Sequence, residues 1–200
     1  MKKIITIGRQ FGSGGREVGQ KIAQTLHIAY YDKELLAVAA KKSGLSSQFM
    51  NTYDEKPTRS FLYSLVVGQR GLFPDSAETT VEQLAANAQR DAILAVAGEG
   101  SCVIVGRCAD HVLRNEQGLL RVFLTADHGD RIQRICRRDG VTAAEAEEKL
   151  QRMDRSRAAY YRFRCDQTWG AAANYDLCIN VSRWGVDAAV ETIVERCSRS

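Results

Sequence analysis

Lys2-Lys3-Ile4-Ile5-Thr6-Ile7-Gly8-Arg9-Gln10-Phe11-Gly12-Ser13-Gly14-Gly15-Arg16-Glu17-Val18-Gly19 opens the chain as a short apolar run, a glycine-rich turn and the start of a helical pattern. Ile4, Ile5 and Ile7 suit a buried strand of a parallel sheet. The glycines let the backbone bend so that several amide N–H groups converge on one anion at a helix N-terminus, which makes the turn a candidate phosphate-binding loop. The usual pattern for such a loop, G-x-x-x-x-G-K-[ST], is altered. With Gly14 as the second glycine, Arg9 stands in the first-glycine place, Gly15 in the lysine place and Arg16 in the place of the metal-binding hydroxyl.

Downstream of the loop, apolar runs alternate with helical patterns. An amphipathic segment covers Gly15 to Thr25, and Ile28 to Tyr31 forms a short second strand ending at Asp32. A helix is expected from Asp32, its N-cap, to Lys42, with Ser43-Gly44 as the stop. Residues 44–78 hold both prolines, Pro57 and Pro74, in a mixed composition that reads as an inserted subdomain. Thr79 or Thr80 caps a helix through Ala97, ended by Gly98 and Gly100. Ser101 to Val105 is a third strand that delivers Gly106-Arg107, and Leu119 to Leu124 is a fourth. Asp127 to Arg138 and Thr142 to about Arg164 read as helices, Tyr175 to Val181 as the last strand, and Val186 to about Cys197 as the last helix. Strands separated by helices predict an α/β fold of three layers, a parallel five-stranded sheet with helices on both faces, in a single domain. Ligands of such sheets bind beyond the carboxyl ends of the strands.

Composition narrows the classes further. A chain of 200 residues, 44% hydrophobic and 26% charged, can bury a substantial core, which excludes the disordered and fibrous classes. A net charge of +4 favours anionic ligands and does not single out nucleic acid, so small molecules are the expected partners. No apolar stretch approaches the roughly 20 residues of a membrane span, and Lys2-Lys3 precedes only a strand-length run, too short for a signal-peptide core. The expected location is cytoplasmic, with no membrane partner. Six cysteines, at 102, 108, 136, 165, 178 and 197, show no C-x-x-C pair, so neither a zinc site nor a disulfide framework is indicated. Histidines 27, 111 and 128 form no motif.

Four polar features fall just beyond expected strand ends: the glycine loop, Asp32, Gly106-Arg107, and Asn180 to Ser182. The fold would bring them to one edge. Arg107 follows a glycine that permits close approach, and its guanidinium can grip two phosphate oxygens. Asp32 has two readings of equal weight, a helix cap or an acid that meets a ligand hydroxyl or metal. A second constellation runs from Gln151 to Arg164. On one helix, Arg152, Arg155 and Arg162 share a stripe and Arg157 and Arg164 another, bordering an apolar arc of Met153, Tyr160 and Phe163. A solvated face is the default for such a run, with Asp154, Glu145, Glu147 and Glu148 as pairing partners. Arginine at every basic position from 152 to 164 suits phosphoryl oxygens better than generic solubility.

In order along the chain, these pieces resemble the cytidylate kinase-like branch of the nucleoside monophosphate kinases, within the P-loop fold. Gly12 to Glu17 resembles that branch's variant phosphate loop, Tyr30-Tyr31-Asp32-Lys33-Glu34-Leu35 its second-strand segment, and Cys102 to Asp110 its third. Arg131 to Arg138, Asp154 to Tyr161, Trp169-Gly170 and Tyr175-Asp176-Leu177 complete the series. The resemblance implies phosphoryl transfer from ATP, with Mg²⁺, to a nucleoside monophosphate, CMP or dCMP. Gly12, Ser13, Gly14, Gly15, Arg16 and Glu17 would cradle the donor phosphates, and Arg155 and Arg157 match the arginines of a closing lid spanning about residues 140–172. Arg107 matches a residue that holds the acceptor phosphate, Asp32 and Asp176 match acidic positions near the acceptor nucleoside, and residues 44–78 match the acceptor-binding subdomain.

Three familiar parts differ from true cytidylate kinases: Gly15 replaces the loop lysine, Arg16-Glu17 the hydroxyl pair, and Val105 the acid before Gly-Arg. Arg16 or Arg9 are the candidates to replace the lysine charge, and Arg16 joins Arg107, Arg155 and Arg157 as a candidate catalytic residue. Glu17, Asp32 and Asp110 are the candidates to hold metal. Two rivals to a nucleotide kinase stand beside it: a nucleotide-binding or regulatory protein of the same fold without efficient transfer, and a kinase for another small acceptor.

Overall fold

A computed structural model of the chain describes residues 2–32 and 81–199. The chain divides into two compact units, one of residues 1–32 and 96–200 and one of residues 33–95. Of the second unit only helical residues 81–95 are described. The helix expected from Asp32 to Lys42 and the insertion expected at 44–78 lie outside the described residues.

The first unit is built on five parallel strands: β1 (Ile4–Arg9), β2 (Ala29–Tyr31), β3 (Cys102–Val105), β4 (Leu119–Thr125) and β5 (Leu177–Asn180), in the order β2-β3-β1-β4-β5. The register pairs Ile5 with Val103 and Leu120, and Ile7 with Val105 and Val122. Because side chains alternate along a strand, these residues share one face, and they form one core cluster with Leu124 and Ile179. Val18 and Ile22 of α1 (Gly15–Leu26) and Ala189, Val190 and Ile193 of α7 (Val186–Ser198) pack into the same cluster. Each fully buried isoleucine there contributes about 2 kcal/mol by leaving water. The first three isoleucines of the chain therefore make the centre of the sheet, and β1 lies between β3 and β4.

The remaining helices are α2 (Val81–Glu99), α3 (Ala109–Val112), α4 (His128–Asp139), α5 (Ala143–Cys165) and α6 (Val181–Trp184). Thr142 caps α5 through a reciprocal box: its Oγ1 accepts from the Glu145 N–H, and the Glu145 carboxylate accepts from the Thr142 N–H. Three features differ from the sequence reading. Gly98 lies inside α2 and does not end it. The four-residue helices α3 and α6 are too short to leave a periodic signal.

The third difference concerns α5. Its buried seam is Ala146, Leu150, Tyr161 and Cys165, while Phe163, expected on the apolar arc, is 75% exposed. The first half of the helix packs with Ile135 of α4 and Phe11 of the loop, the second half with Cys108. Two different docking partners shift the seam along the helix, and Arg157, four residues before Tyr161, falls within it.

Candidate active site

The loop leaves β1 and folds back as a direct extension of the sheet. The Gln10 N–H donates to the Leu124 carbonyl at 3.0 Å, and the Ser13 N–H to the Gln10 carbonyl at 3.3 Å. Gly14, at φ 85°, turns the chain into α1 and offers no side chain to cap it. The first N–H groups of α1 are thus left for an outside acceptor at the positive end of a helix 12 residues long. Ser13 Oγ is buried there without a hydrogen-bond partner among the described residues.

One residue of the loop, Phe11, is clamped through both its N–H and its carbonyl. The Phe11 N–H donates to Asp154 Oδ1 at 2.7 Å, and Arg131 Nε donates to the Phe11 carbonyl at 2.7 Å. Arg131 and Asp154 form an ion pair with each other, so α4 and α5 hold the loop through one buried guanidinium and one carboxylate. Arg138 and Arg157 lie over the Phe11 ring at 4.9 and 5.4 Å from its centroid. Arg134, one turn beyond Arg131, reaches so close to Gly14 that a Cβ there would stand 1.8 Å from its Nη1. That nitrogen is buried and has no hydrogen-bond partner among the described residues.

Across the mouth of the loop three further arginines gather. Arg157 Nη1 donates to the Arg9 carbonyl at 3.0 Å. Burial, with Arg9 and Arg107 nearby, pushes the Arg157 guanidinium down to about 9, well below the ordinary arginine range, against the opposing pull of Asp154 and Asp32. Arg9 itself passes over Gly15, where a Cβ would stand 2.7 Å from its Cβ, and ends against Gly106, where a Cβ would stand 1.8 Å from its Nη1. Asp32 lies 4.0 Å from Arg9 Nη2 and 3.7 Å from Arg16 Nε. Gly106, Arg107 and Cys108 all carry positive φ, at 80°, 62° and 54°. For the two residues that are not glycine this conformation costs about 1–2 kcal/mol each, strain of the kind held at functional turns.

The expected site residues thus separate. Gly12, Ser13, Gly14 and Gly15 form the loop and the start of α1; Asp32, Arg16, Arg107 and Arg157 are brought around it. Glu17 is exposed on the first turn of α1. Arg155 is exposed and donates to the Gln151 carbonyl of its own helix at 3.2 Å, so it is not brought to the loop. Asp176 is not brought there either: both its oxygens accept from Arg121, whose register partner on β1 is Thr6, three residues before the loop. Asp110 is buried and accepts from the Tyr161 hydroxyl at 2.6 Å; burial holds its carboxyl above the usual range, with the Tyr161 hydrogen bond opposing. Asn180 and Ser182 serve the frame: Asn180 Oδ1 caps α6, its Nδ2 donates to Asp127 at 2.8 Å, and Ser182 Oγ accepts from the Asp127 N–H at 2.9 Å.

Residue types alone did not point to the clamp or to Arg134. Its trace in the sequence is slight: Arg131 and Arg134 three apart on one helix, and Asp154 as the single acid within the arginine run.

Comparison with known proteins bears on the family and the fold. A cytidylate kinase from Pyrococcus horikoshii is 28% identical over 204 residues, covering 97% of this chain and 89% of the relative. The crystal structure of an uncharacterized protein from Eubacterium ventriosum is 28% identical and superposes with a TM-score of 0.74 over 100% of both chains. At 16% identity, a shikimate kinase from Bacteroides thetaiotaomicron shares the fold, with a TM-score of 0.55 over 99% of each chain. The five-stranded parallel sheet, its glycine loop after β1 and these neighbours make the fold that of the P-loop kinases. The model of the cytidylate kinase-like family matches residues 4–183, from the first strand to α6, and the chain belongs to that family.

Proposed function

We propose that this chain is a nucleotide kinase that transfers the γ-phosphoryl group of ATP to a nucleoside monophosphate, with CMP or dCMP as the acceptor. The observation that carries the reading is the gathering of Arg9, Arg107 and Arg157 over an uncapped helix N-terminus, with the charge of Arg157 disfavoured by burial and by its two neighbours. Like charges held together at this cost are relieved by a polyanion, and two aligned phosphate groups supply one. The acceptor class rests on the family and on relatives named cytidylate kinase.

In this reading Gly12 to Gly15 present backbone N–H groups to the donor phosphates, and Ser13 Oγ and Arg134 Nη1, both buried and without a hydrogen-bond partner among the described residues, complete the cradle. Arg107 and Arg157 hold oxygens of the transferred group and the acceptor phosphate, so that the two reactants lie in line. Residues 140–172 act as the lid, and residues 44–78 supply the acceptor subsite. Magnesium, when bound, would supply charge neutralisation at the donor phosphates. This ion needs only one or two protein carboxylates, because phosphates and water fill the rest of its shell. Asp32 fits that need: its ion pairs, at 3.7 and 4.0 Å, are long enough to leave oxygens for a hydrated cation. A cytoplasmic location is part of the proposal; among the described residues no helix is long and apolar enough to cross a membrane.

One observation favours a second reading, nucleotide binding without efficient transfer: Gly15, Arg16 and Val105 stand where lysine, hydroxyl and acid serve catalysis. Incubating the protein with Mg-ATP and a panel of nucleoside monophosphates, and following ADP and nucleoside diphosphate, separates the two. CMP- or dCMP-dependent turnover supports the kinase. Nucleotide binding with no acceptor turned over would leave the second reading.

A further inference from the structure

We infer that Arg9 supplies, from the end of β1, the phosphate-bridging charge that a lysine at position 15 would supply in the usual loop, so that positions 9 and 15 have exchanged glycine for a basic side chain. The inference rests on the nucleotide-binding part of the proposed function. In the usual pattern the first place holds glycine and the seventh lysine; here the first holds Arg9 and the seventh Gly15. The two places are in contact. A Cβ at position 15 would stand 2.7 Å from Arg9 Cβ and 2.8 Å from Arg9 Cγ, closer than real Cβ atoms approach such atoms. Those are the fixed root of the arginine and not its mobile end, so the volume holds one side chain only.

The direction of Arg9 agrees. From its root over Gly15 the side chain runs to Gly106 at the end of β3, and its guanidinium stands 4.0 Å from Asp32. It therefore spans the crevice between the carboxyl ends of two adjacent strands, where parallel sheets bind ligands. Gly106, with φ +80°, is needed for its backbone conformation, and a Cβ there would stand 1.8 Å from Arg9 Nη1, so the end of the Arg9 side chain would have to shift. The Arg9 carbonyl is fixed by Arg157 Nη1, so the root is held while the planar fork is aimed. A guanidinium can bridge oxygens of two phosphoryl groups, the task a lysine performs as a point charge. Arg16, the other basic residue of the turn, has a side chain 59% exposed against 21% for Arg9, a weaker place from which to neutralise a buried phosphate.

Isothermal titration with Mg-ADP and, separately, inorganic tripolyphosphate, together with thermal denaturation without ligand, tests this on five proteins: wild type, Arg9→Met, Arg9→Gly, Gly15→Lys and the exchange Arg9→Gly/Gly15→Lys. Arg9→Met keeps the packed stem and removes the charge; it is expected to keep the wild-type Tm and to weaken both probes about 10- to 100-fold, the worth of a charge-assisted contact. Gly15→Lys alone is expected to lower Tm and affinity, because both side chains then compete for one volume. The exchange is expected to regain the Tm lost by Gly15→Lys and to bind Mg-ADP at least tenfold, in round terms about one decade, more tightly than Arg9→Gly. Wild-type affinity in Arg9→Met would overturn the role of Arg9 and leave nucleotide binding standing. Unchanged Tm and affinity in Gly15→Lys would overturn the exclusion, and failure of the exchange to regain affinity would overturn the exchange. A wild-type protein that binds neither probe would overturn this inference and the proposed function together.

Discussion

Replacing Asp154 by alanine removes one jaw of the clamp on the Phe11 backbone, and its cost can be worked from the contacts. The Arg131 side chain is 7% exposed and that of Asp154 18%, so the variant leaves a buried guanidinium without its counter-charge. Breaking a buried pair from one side costs about 3–5 kcal/mol; the residual solvent access of Asp154 points to the lower end, about 3 kcal/mol. The Phe11 N–H also loses a charged acceptor, about 1.5 kcal/mol, part of which water returns. A total near 4 kcal/mol is a large share of the roughly 5–15 kcal/mol that holds a domain folded, and at about 2–4 °C per kcal/mol for a chain of this size it lowers Tm by about 8–16 °C. Asp154→Asn keeps an acceptor for Phe11 and loses only the charge, so it falls between. The double variant Arg131→Leu/Asp154→Leu removes both charges and regains much of the Tm, because an apolar pair replaces an ion pair at little cost. It does not regain Mg-ADP affinity, since the N–H and the carbonyl of Phe11 have both lost their holders. Circular dichroism melts and titration calorimetry read the two quantities. A Tm drop below about 3 °C for Asp154→Ala, or a double variant that binds Mg-ADP like the wild type, would refute the clamp.

Three further expectations concern the frame. Asp139, at the end of α4, pairs with its neighbour Arg138 and ties α4 to α5 through Lys149, and the hydrogen bonds from both hold its carboxyl well below the usual range. The stabilisation is therefore present above the ordinary aspartate pKa, about 4, and lost as pH falls below it; Asp139→Asn should cost about 1 kcal/mol at pH 7 in urea melts, with the gap closing in acid. His27 ends α1 with φ 51°, so His27→Gly should raise stability by about 1 kcal/mol; a lower urea midpoint would contradict the cap assignment. Tyr161→Phe strips the buried Asp110 of its hydroxyl donor, at about 1–3 kcal/mol. Burial already raises the Asp110 carboxyl, and losing the donor raises it further, so the Tm deficit should be widest near neutral pH and narrow in acid, where the carboxyl is protonated with or without Tyr161.

The parts of this molecule readable from residues are those governed by local rules. Ile4, Ile5 and Ile7 followed by glycines define β1 and its turn, and Thr142 with Glu145 three residues on fixes the start of α5. Arg157 drew notice for its side-chain type, but its burial depended on where α5 changes docking partner, which no periodicity records. Asn180 and Ser182 sit at a strand end, as ligand residues do, and are used to latch β5 to Asp127. Position along a strand is legible; the partner that claims a polar atom depends on contacts such as Arg131 to Phe11, 120 residues apart.

The contact between Arg9 and Gly15 also bears on how such a loop could change by mutation. Starting from this chain, a side chain added at position 15 overfills the site, and, if Arg9 takes the part of the loop lysine, a single loss at position 9 removes the bridging charge. The two workable states are therefore separated by a valley in either direction, and a lineage in one of them stays there unless both codons change. A search keyed to lysine at the seventh place passes over this chain; one that allows a basic residue at either place, with glycine at the other, would include it.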